Sequence, residues 1–430
     1  MTNSHIHTNL YMFPCIDTNT LPALTIIRIL ASWCPYCQKV WMALEHKRIP
    51  YRVERVNMRC YGEKTSDFMK LQPNGQIPVA IIDGVAYRQS NDILAALDQS
   101  FPSSPKIAVF LSSDQKSRAK ELLRLERTLF SAWMYWLTGS SRGARQEFIT
   151  CLNTVEQALS GSETGFFMGG NSMSIVDIQF APFLERMAAS LIFYKGFQLR
   201  FPPNHPMNAY PNINKWFDAM EQCEAYQVTK SDYYTHCWDL PPQLGGCTYE
   251  ADGERFERAI NGERTLDGMQ GSWELPLQPH NGGVEPDWTF ITTDSARAKR
   301  EAVERLSANH VNVVTFASRG AGKKGIPSVS ASLSDPKAVP EQSVLTSVDA
   351  VLRCVAAAML TEDPTAMDGH MKSLALLFSS FEGHGDNVIK CLSYLRDRVG
   401  VPRDMKLPAA RQFRAHLNWA ASHLIDVKKT

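Results

Sequence analysis

Between residues 23 and 103 short apolar runs alternate with stripes at helical spacing. Ala23 to Leu30 is apolar, rich in β-branched residues and short enough for a strand. Cys37, Val40, Trp41 and Leu44 then recur as one helical face, and Pro35 stands where a first turn tolerates a residue without an N–H. Tyr51 to Val56 alternates, which predicts a second strand parallel to the first with the helix as a right-handed crossover. Asn57 to Gln72 is polar and reads as loop plus a short helix around Phe68-Met69. Val79 to Ile82 and Val85 to Tyr87 flank Asp83-Gly84, the signature of a two-residue type I′ hairpin. Ser90 then caps a helix carrying Asp92, Ile93, Leu94, Leu97 and Phe101. The expected order is βαβ, connecting helix, ββ, α.

From about Pro105 to Leu244 the pattern is helical. Ala119, Leu122, Leu123, Leu125, Leu129, Phe130 and Trp133 stripe a long helix over Ser112 to Thr138. Ser174 and Asp177 form a capping-box arrangement, with Met173 placed for a staple contact, ahead of Ile178, Phe180, Ala181, Phe183 and Leu184. Pro241-Pro242 and Gly245-Gly246 mark a boundary. Beyond it, Trp273 to Pro276, Trp288 to Ile291 and Val311 to Phe316 read as strands, and Ser295 to Ser307 as an amphipathic helix. Arg319 to Gly325 lacks the Gly-x-x-x-x-Gly-Lys-Ser/Thr spacing of a phosphate loop and reads as a mobile Gly-rich linker. Three further helical stripes follow, over Ser347 to Leu360, Asn387 to Val399 and Pro408 to Ile425.

This divides the chain into an extension at 1–22, an α/β domain at 23–103, an all-helical domain at 104–244 and a mostly helical (α or α+β) C-terminal domain at 245–430. A length of 430 residues suits two or three cores. The net charge of +1 gives no electrostatic case for nucleic acid or an anionic membrane as partner. No apolar run approaches the ~20 residues needed to span a bilayer. The first twenty residues contain neither Lys nor Arg, so neither a secretory n-region nor an Arg-rich transit peptide is expected, and the cytoplasm is the expectation by elimination.

Cys34-Pro35-Tyr36-Cys37 carries the chemistry. At a helix start, unpaired N–H groups and the positive dipole end stabilise a thiolate, which makes Cys34 the candidate nucleophile. Cys37 lies one turn in, on the apolar side, and reads as the less exposed, resolving or structural thiol. Half of a zinc site and an inert buried pair are the alternatives. The remaining eight of the ten cysteines form no second Cys-x-x-Cys pair, and no metal site is expected.

Residues 23–230, about half the chain, resemble the glutathione transferase superfamily. The order of elements is that of its thioredoxin-like domain, and Cys-Pro-Tyr-Cys is similar to the glutaredoxins, in particular bacterial ones with a transferase-like helical domain. The omega class and plant dehydroascorbate reductases are similar but usually keep only the first cysteine. The capping box at Ser174 and the run from Tyr210-Pro211 to Phe217 resemble helices of the transferase C-terminal domain. The resemblance implies that Pro78 is a cis-proline facing the thiol and that the Ile77 backbone pairs with the cysteinyl part of glutathione. It further implies that Gln89-Ser90 hold the γ-glutamyl end, that Lys64 reaches the glycyl carboxylate, and that Tyr36 belongs with them. Trp133, Tyr135 and Trp136 are implied beside a second-substrate pocket, with core packing as the competing reading. Arg142 and Arg145 read as surface charge or as contacts for an anionic substrate. The superfamily usually has Glu where this chain has Gln89.

The expected activity is glutathione-dependent thiol-disulfide exchange through Cys34, with glutathione as cosubstrate and a small-molecule or protein disulfide as partner. Dehydroascorbate reduction and glutathione conjugation use the same groups. A non-catalytic scaffold that keeps the transferase fold is the alternative from another class. Homodimers are common among similar proteins.

Overall fold

The computed structural model describes residues 25–28 (backbone), 34–54, 56, 63–108, 112–139, 141–201, 204–263, 266, 271–277, 284–285, 295–327, 329–361, 363 and 365–427. Two compact units emerge: residues 1–187 with 208–230, and residues 188–207 with 231–430. Residues 231–244, which the sequence pattern groups with the preceding helical domain, cluster with the second unit. The expected extension at 1–22 and the expected strand at Trp288 to Ile291 lie outside the described residues.

The first unit opens with β1 (Thr25–Arg28), α1 (Pro35–Lys47), β2 (Tyr51–Val53), α2 (Ser66–Leu71), β3 (Val79–Ile82), β4 (Val85–Tyr87) and α3 (Ser90–Ser100). The sheet order is β2-β1-β3-β4. β1 and β2 are parallel, with Ile26 opposite Arg52, whereas β1–β3 and β3–β4 are antiparallel, with Ile27 opposite Ala80 and Ile81 opposite Ala86. Asp83 and Gly84 both take positive φ (49° and 81°), the backbone a type I′ hairpin demands. Val40 and Leu44 of α1 and Ile93 and Leu97 of α3 are buried, as are Val79, Ala80 and Ile82 of the sheet. This is the thioredoxin-like layout expected from the order of elements. One boundary differs: Gln89, not Ser90, is the N-cap of α3, and its side chain makes no capping bond.

Helices α4 (Ser113–Thr138), α5 (Arg142–Leu159), α6 (Ile175–Lys195), α7 (Pro211–Glu221) and α8 (Glu224–Gln227) follow, with the unit boundary falling after Met187 within α6. Ser112 and Gln115 close a full capping box on α4. Asp177 is the hub of the box at α6. Its carboxylate accepts from the Ser174 N–H and hydroxyl (both 2.8 Å), from the Phe167 N–H (3.0 Å) and from the Trp216 indole N–H (3.0 Å). Four donors on one buried acid tie the α6 start to the preceding loop and to α7.

The second unit holds the end of α6 together with α9 (Tyr233–Leu244), α10 (Glu254–Ile260), α11 (Ser295–Ala308), α12 (His310–Ser318), α13 (Leu345–Leu360), α14 (Asp368–Ser379), α15 (His384–Arg396) and α16 (Leu407–Asp426). α16 packs against α11, α13, α14 and α15 around a core that includes Val348, Leu352, Leu392, Phe413 and Leu417. The stretch Gln342–Leu360, 19 residues with mean hydropathy 1.6, is long and apolar enough to cross a membrane by length and composition. Here Val344, Val348, Val351, Leu352 and Val355 are buried in the helical core.

Three expectations for this unit are corrected. Val311 to Phe316 is helical: α12 buries Val314 and Ala317, three apart, while Val311 is 73% exposed, so packing against α13 and α15 overrides the β-branched preference. Trp273 to Pro276 is a turn, not a strand. The Trp273 ring packs on Tyr234 (4.9 Å between centroids) and under the Arg414 guanidinium (4.8 Å), and its carbonyl accepts from the Asn418 side chain (3.0 Å). The Gly-rich run is packed rather than a linker. A Cβ on Gly322 would meet the Val339 carbonyl oxygen at 1.9 Å, one on Gly320 the Lys390 carbonyl oxygen at 2.4 Å, and Lys323 bridges to Val339.

Candidate active site

Pro35 takes the first helical position and leaves Cys34 as the N-cap of α1, with extended backbone (φ −76°, ψ 115°) and its carbonyl accepting from the Gln38 N–H at 3.0 Å. The local sequence thus delivers the sulfur to a helix end, where first-turn N–H groups have no helical partner. Cys34 is 7% exposed and Cys37 1%, and neither is joined in a disulfide. The Cys37 thiol donates to Cys34, the largest stabilising contribution to its thiolate. Backbone N–H groups of Cys37 and Tyr36 and the Arg186 charge add to it, while burial opposes. The Cys34 thiol is lowered to about 7, which favours the thiolate relative to an ordinary cysteine. The sequence pattern points to the helix-start N–H groups and gives no sign of the side-chain bond from Cys37.

A buried polar network continues from this turn. The Gln38 amide donates to Glu185 at 2.9 Å and accepts from the Arg186 guanidinium at 2.7 Å, and Arg186 also donates to the Pro182 carbonyl at 2.7 Å. Lys39 donates to Gln179 at 2.6 Å and approaches Glu126 at 3.4 Å, and its ammonium lies 4.4 Å from the Phe183 ring centroid. Glu126 is also paired with Arg127. Burial lowers the Lys39 ammonium to about 8 against the pull of Glu126. Gln179 passes the connection on to Asn91 in the first turn of α3, at 2.7 Å. None of these residues was singled out in the sequence. Their signal is the interruption of apolar stripes: Gln38-Lys39 lies between Cys37 and Val40, and Glu185-Arg186 lies between the apolar runs Phe180 to Leu184 and Met187 to Ala189 of α6.

The residues implied for glutathione fall as follows. The Ile77-Pro78 bond is cis, and Pro78 is buried. Gln89 is exposed at the N-cap of α3 and Ser90 is half-buried at its first position. The Lys64 side chain runs beside Gly75, where its Cδ lies 3.5 Å from a Cβ built there. The Tyr36 ring is partly exposed and packs edge-on against Phe183 (6.0 Å). Of the implied pocket aromatics, Trp133 and Trp136 are each 1% exposed, against Phe130 (5.9 Å) and Phe148 (5.4 Å) respectively. Both are core residues; the helical spacing that gathered them turns Tyr135, 56% exposed, to solvent. The Arg145 guanidinium lies 5.9 Å from the Trp136 ring, and Arg142 opens α5. Among the described residues no group of His, Cys, Asp or Glu is arranged to hold a metal.

The family models described as the N-terminal and C-terminal domains of glutathione S-transferase match residues 33–100 and 121–219. Residues 33–219 belong to the glutathione S-transferase superfamily. Two curated relatives come from Arabidopsis thaliana. Glutathione S-transferase DHAR3, chloroplastic, is 27% identical over 201 residues, 46% of this chain and 69% of the relative. Glutathione S-transferase DHAR2 is 23% identical over 200 residues, 46% of this chain and 84% of the relative. Glutathione transferase Omega 3C from Trametes versicolor is a solved structure at 22% identity that aligns with 49% of this chain and 91% of its own, with a TM-score of 0.42. The superfamily's matched domains thus contain the Cys34 site and the Lys39 and Arg186 network, and end before α8.

Proposed function

We propose that the first unit is a glutathione-dependent oxidoreductase or transferase that works through the Cys34 thiolate. Dehydroascorbate reduction or glutathione transfer stands ahead of glutaredoxin-type thiol exchange, because the curated relatives are named as glutathione S-transferases of the DHAR type. The single observation that carries the reading is the Cys34 thiol at the start of α1, lowered to about 7 within a superfamily domain.

The redox cycle balances with glutathione as reductant. In thiol exchange, the Cys34 thiolate attacks the glutathionyl sulfur of a mixed disulfide, the S–S bond breaks, and the departing thiolate takes up a proton. A second glutathione thiolate then attacks the Cys34 mixed disulfide, forming glutathione disulfide and returning Cys34 as thiolate. Cys37 supplies an internal alternative for that second attack. With dehydroascorbate two reduced glutathiones are oxidised to glutathione disulfide and deliver two electrons and two protons to the acceptor. The resting dithiol suits a reducing compartment, and the proposal includes the cytoplasm as one.

The test is steady-state turnover with glutathione and, side by side, dehydroascorbate, a glutathionylated small disulfide and a chlorinated aromatic. Cys34→Ser should abolish the redox activities and Cys37→Ser should keep part of them. Redox turnover unchanged in Cys34→Ser would overturn the thiolate reading. Absence of turnover and of glutathione binding in the wild-type protein would leave a transferase-fold scaffold.

A further inference from the structure

A cation that never loses its proton is buried against Gln38, the residue that closes the first turn of α1 onto Cys34. Arg186 is among the largest fully buried side chains of the chain, and its guanidinium is held at 2.7 Å by both the Gln38 amide oxygen and the Pro182 carbonyl. Gln38 closes the first turn of α1 onto Cys34, its N–H donating to the Cys34 carbonyl, so its side chain and the Cys34 position share that end of the helix. Arginine is donor-only, which fixes the Gln38 amide: its oxygen faces Arg186, and its NH2 must face the Glu185 carboxylate. Burying a guanidinium is costly, and an apolar side chain of similar length would fill the same space.

We propose that Arg186 is a positioning residue for the Cys34 thiolate, its guanidinium fixed by Gln38 and Pro182 so that a permanent positive charge faces the start of α1. This rests on the proposed thiolate chemistry and adds to it a buried charge that acts beside the Cys37 hydrogen bond on the ionisation of the sulfur. The Arg186 charge is among the contributions that lower the Cys34 thiol. The other charged and titratable groups around α1 are placed differently. Cys37 and Tyr36 donate to the sulfur from α1 itself. Lys39, lowered by burial to about 8, sits against Glu126, which Arg127 shares, on α4. Glu185 is bound to the Gln38 amide. Asp98 of α3 pairs with Lys47 at the opposite end of α1, and α8 brings buried Tyr226 and an exposed Glu224.

The experiment follows the rate of Cys34 alkylation by iodoacetamide against pH, read on the Cys34 peptide by mass spectrometry in the full chain, without glutathione. Arg186→Met should move the midpoint up by roughly one pH unit, and Arg186→Lys should hold it within a few tenths of the wild-type value. Gln38→Leu, which keeps the charge but removes its anchor, should move it up by less. A folded Arg186→Met with an unmoved midpoint would overturn the proposal; should that variant not fold, an unmoved midpoint in Gln38→Leu does so. A wild-type midpoint at the ordinary thiol value would remove both this role and the reading it rests on. A midpoint that rises in Arg186→Met while the wild-type protein shows no glutathione turnover would support the Arg186 role and remove only the proposed activity.

Discussion

Cys37 gives its thiol hydrogen to Cys34 from one helical turn away, so the second cysteine acts on the first before any disulfide forms. The bond favours the charged form of its acceptor, as hydrogen bonds to an anion do. Cys37→Ala should therefore raise the Cys34 alkylation midpoint above about 7, and Cys37→Ser, whose hydroxyl still donates, should raise it less. The sign follows from the direction of the shift: a thiol depressed on folding gains stability above its folded value and loses it as pH falls through that value. In Cys37→Ala that loss should be smaller and complete at a higher pH. Identical midpoints in both variants would mean the thiol hydrogen bond is idle.

Glu126 is the buried counter-charge of Lys39, and Arg127 shares it. Glu126→Gln should destabilise the first unit by about 3 kcal/mol at pH 7, because it leaves a buried ammonium uncompensated. Lys39 is already lowered to about 8 by burial, so the variant lowers it further. The unfolded lysine keeps its proton to ~10.4, which makes the folded state the one that releases a proton as pH rises. The cost of Glu126→Gln should accordingly shrink between pH 7 and pH 9. Denaturant unfolding at the two values checks this, and a cost that grows with pH would refute the assignment.

What could be read from the sequence is what is local. The Asp83-Gly84 turn, the Ser174-Asp177 box and Pro35 before a helical stripe each encode geometry within a few residues, and each appears as expected. Trp133 and Trp136 show the limit: spacing groups them on one face but does not say whether that face meets a pocket or a core. The run Val311 to Phe316 shows another, since its β-branched composition is overruled by partners far along the chain in α13 and α15. Gln38, Lys39, Glu185 and Arg186 matter only because two distant helix faces bring them together, a pairing no single stripe reveals.

Gly322 separates a packed turn from a linker. Its missing Cβ is what allows the Val339 carbonyl and the Glu341 N to approach, and both are backbone atoms with little freedom to yield. Gly322→Ala should destabilise the second unit by roughly 2 kcal/mol or more, as overpacking does. A linker glycine would tolerate alanine at no cost. Thermal unfolding read by hydrogen exchange on peptides of α12 and α15 distinguishes the two.

Gln89 occupies the N-cap of α3 without using its side chain to cap the helix, so its amide is available to a ligand at that end. If glutathione lies there as the resemblance implies, its γ-glutamyl ammonium meets a neutral acceptor where the superfamily usually offers a carboxylate. A charge-assisted bond is roughly twice as strong as a neutral one, a difference of about 1 kcal/mol, or about five-fold in affinity. Gln89→Glu should therefore lower the KM for glutathione by about that factor and leave the Cys34 alkylation midpoint near its wild-type value. Part of the gain should vanish at high salt if the new carboxylate remains as exposed as Gln89 is. An unchanged KM would place the γ-glutamyl end elsewhere, and a midpoint that rises together with KM would show that the new charge acts on the thiolate rather than on the ligand.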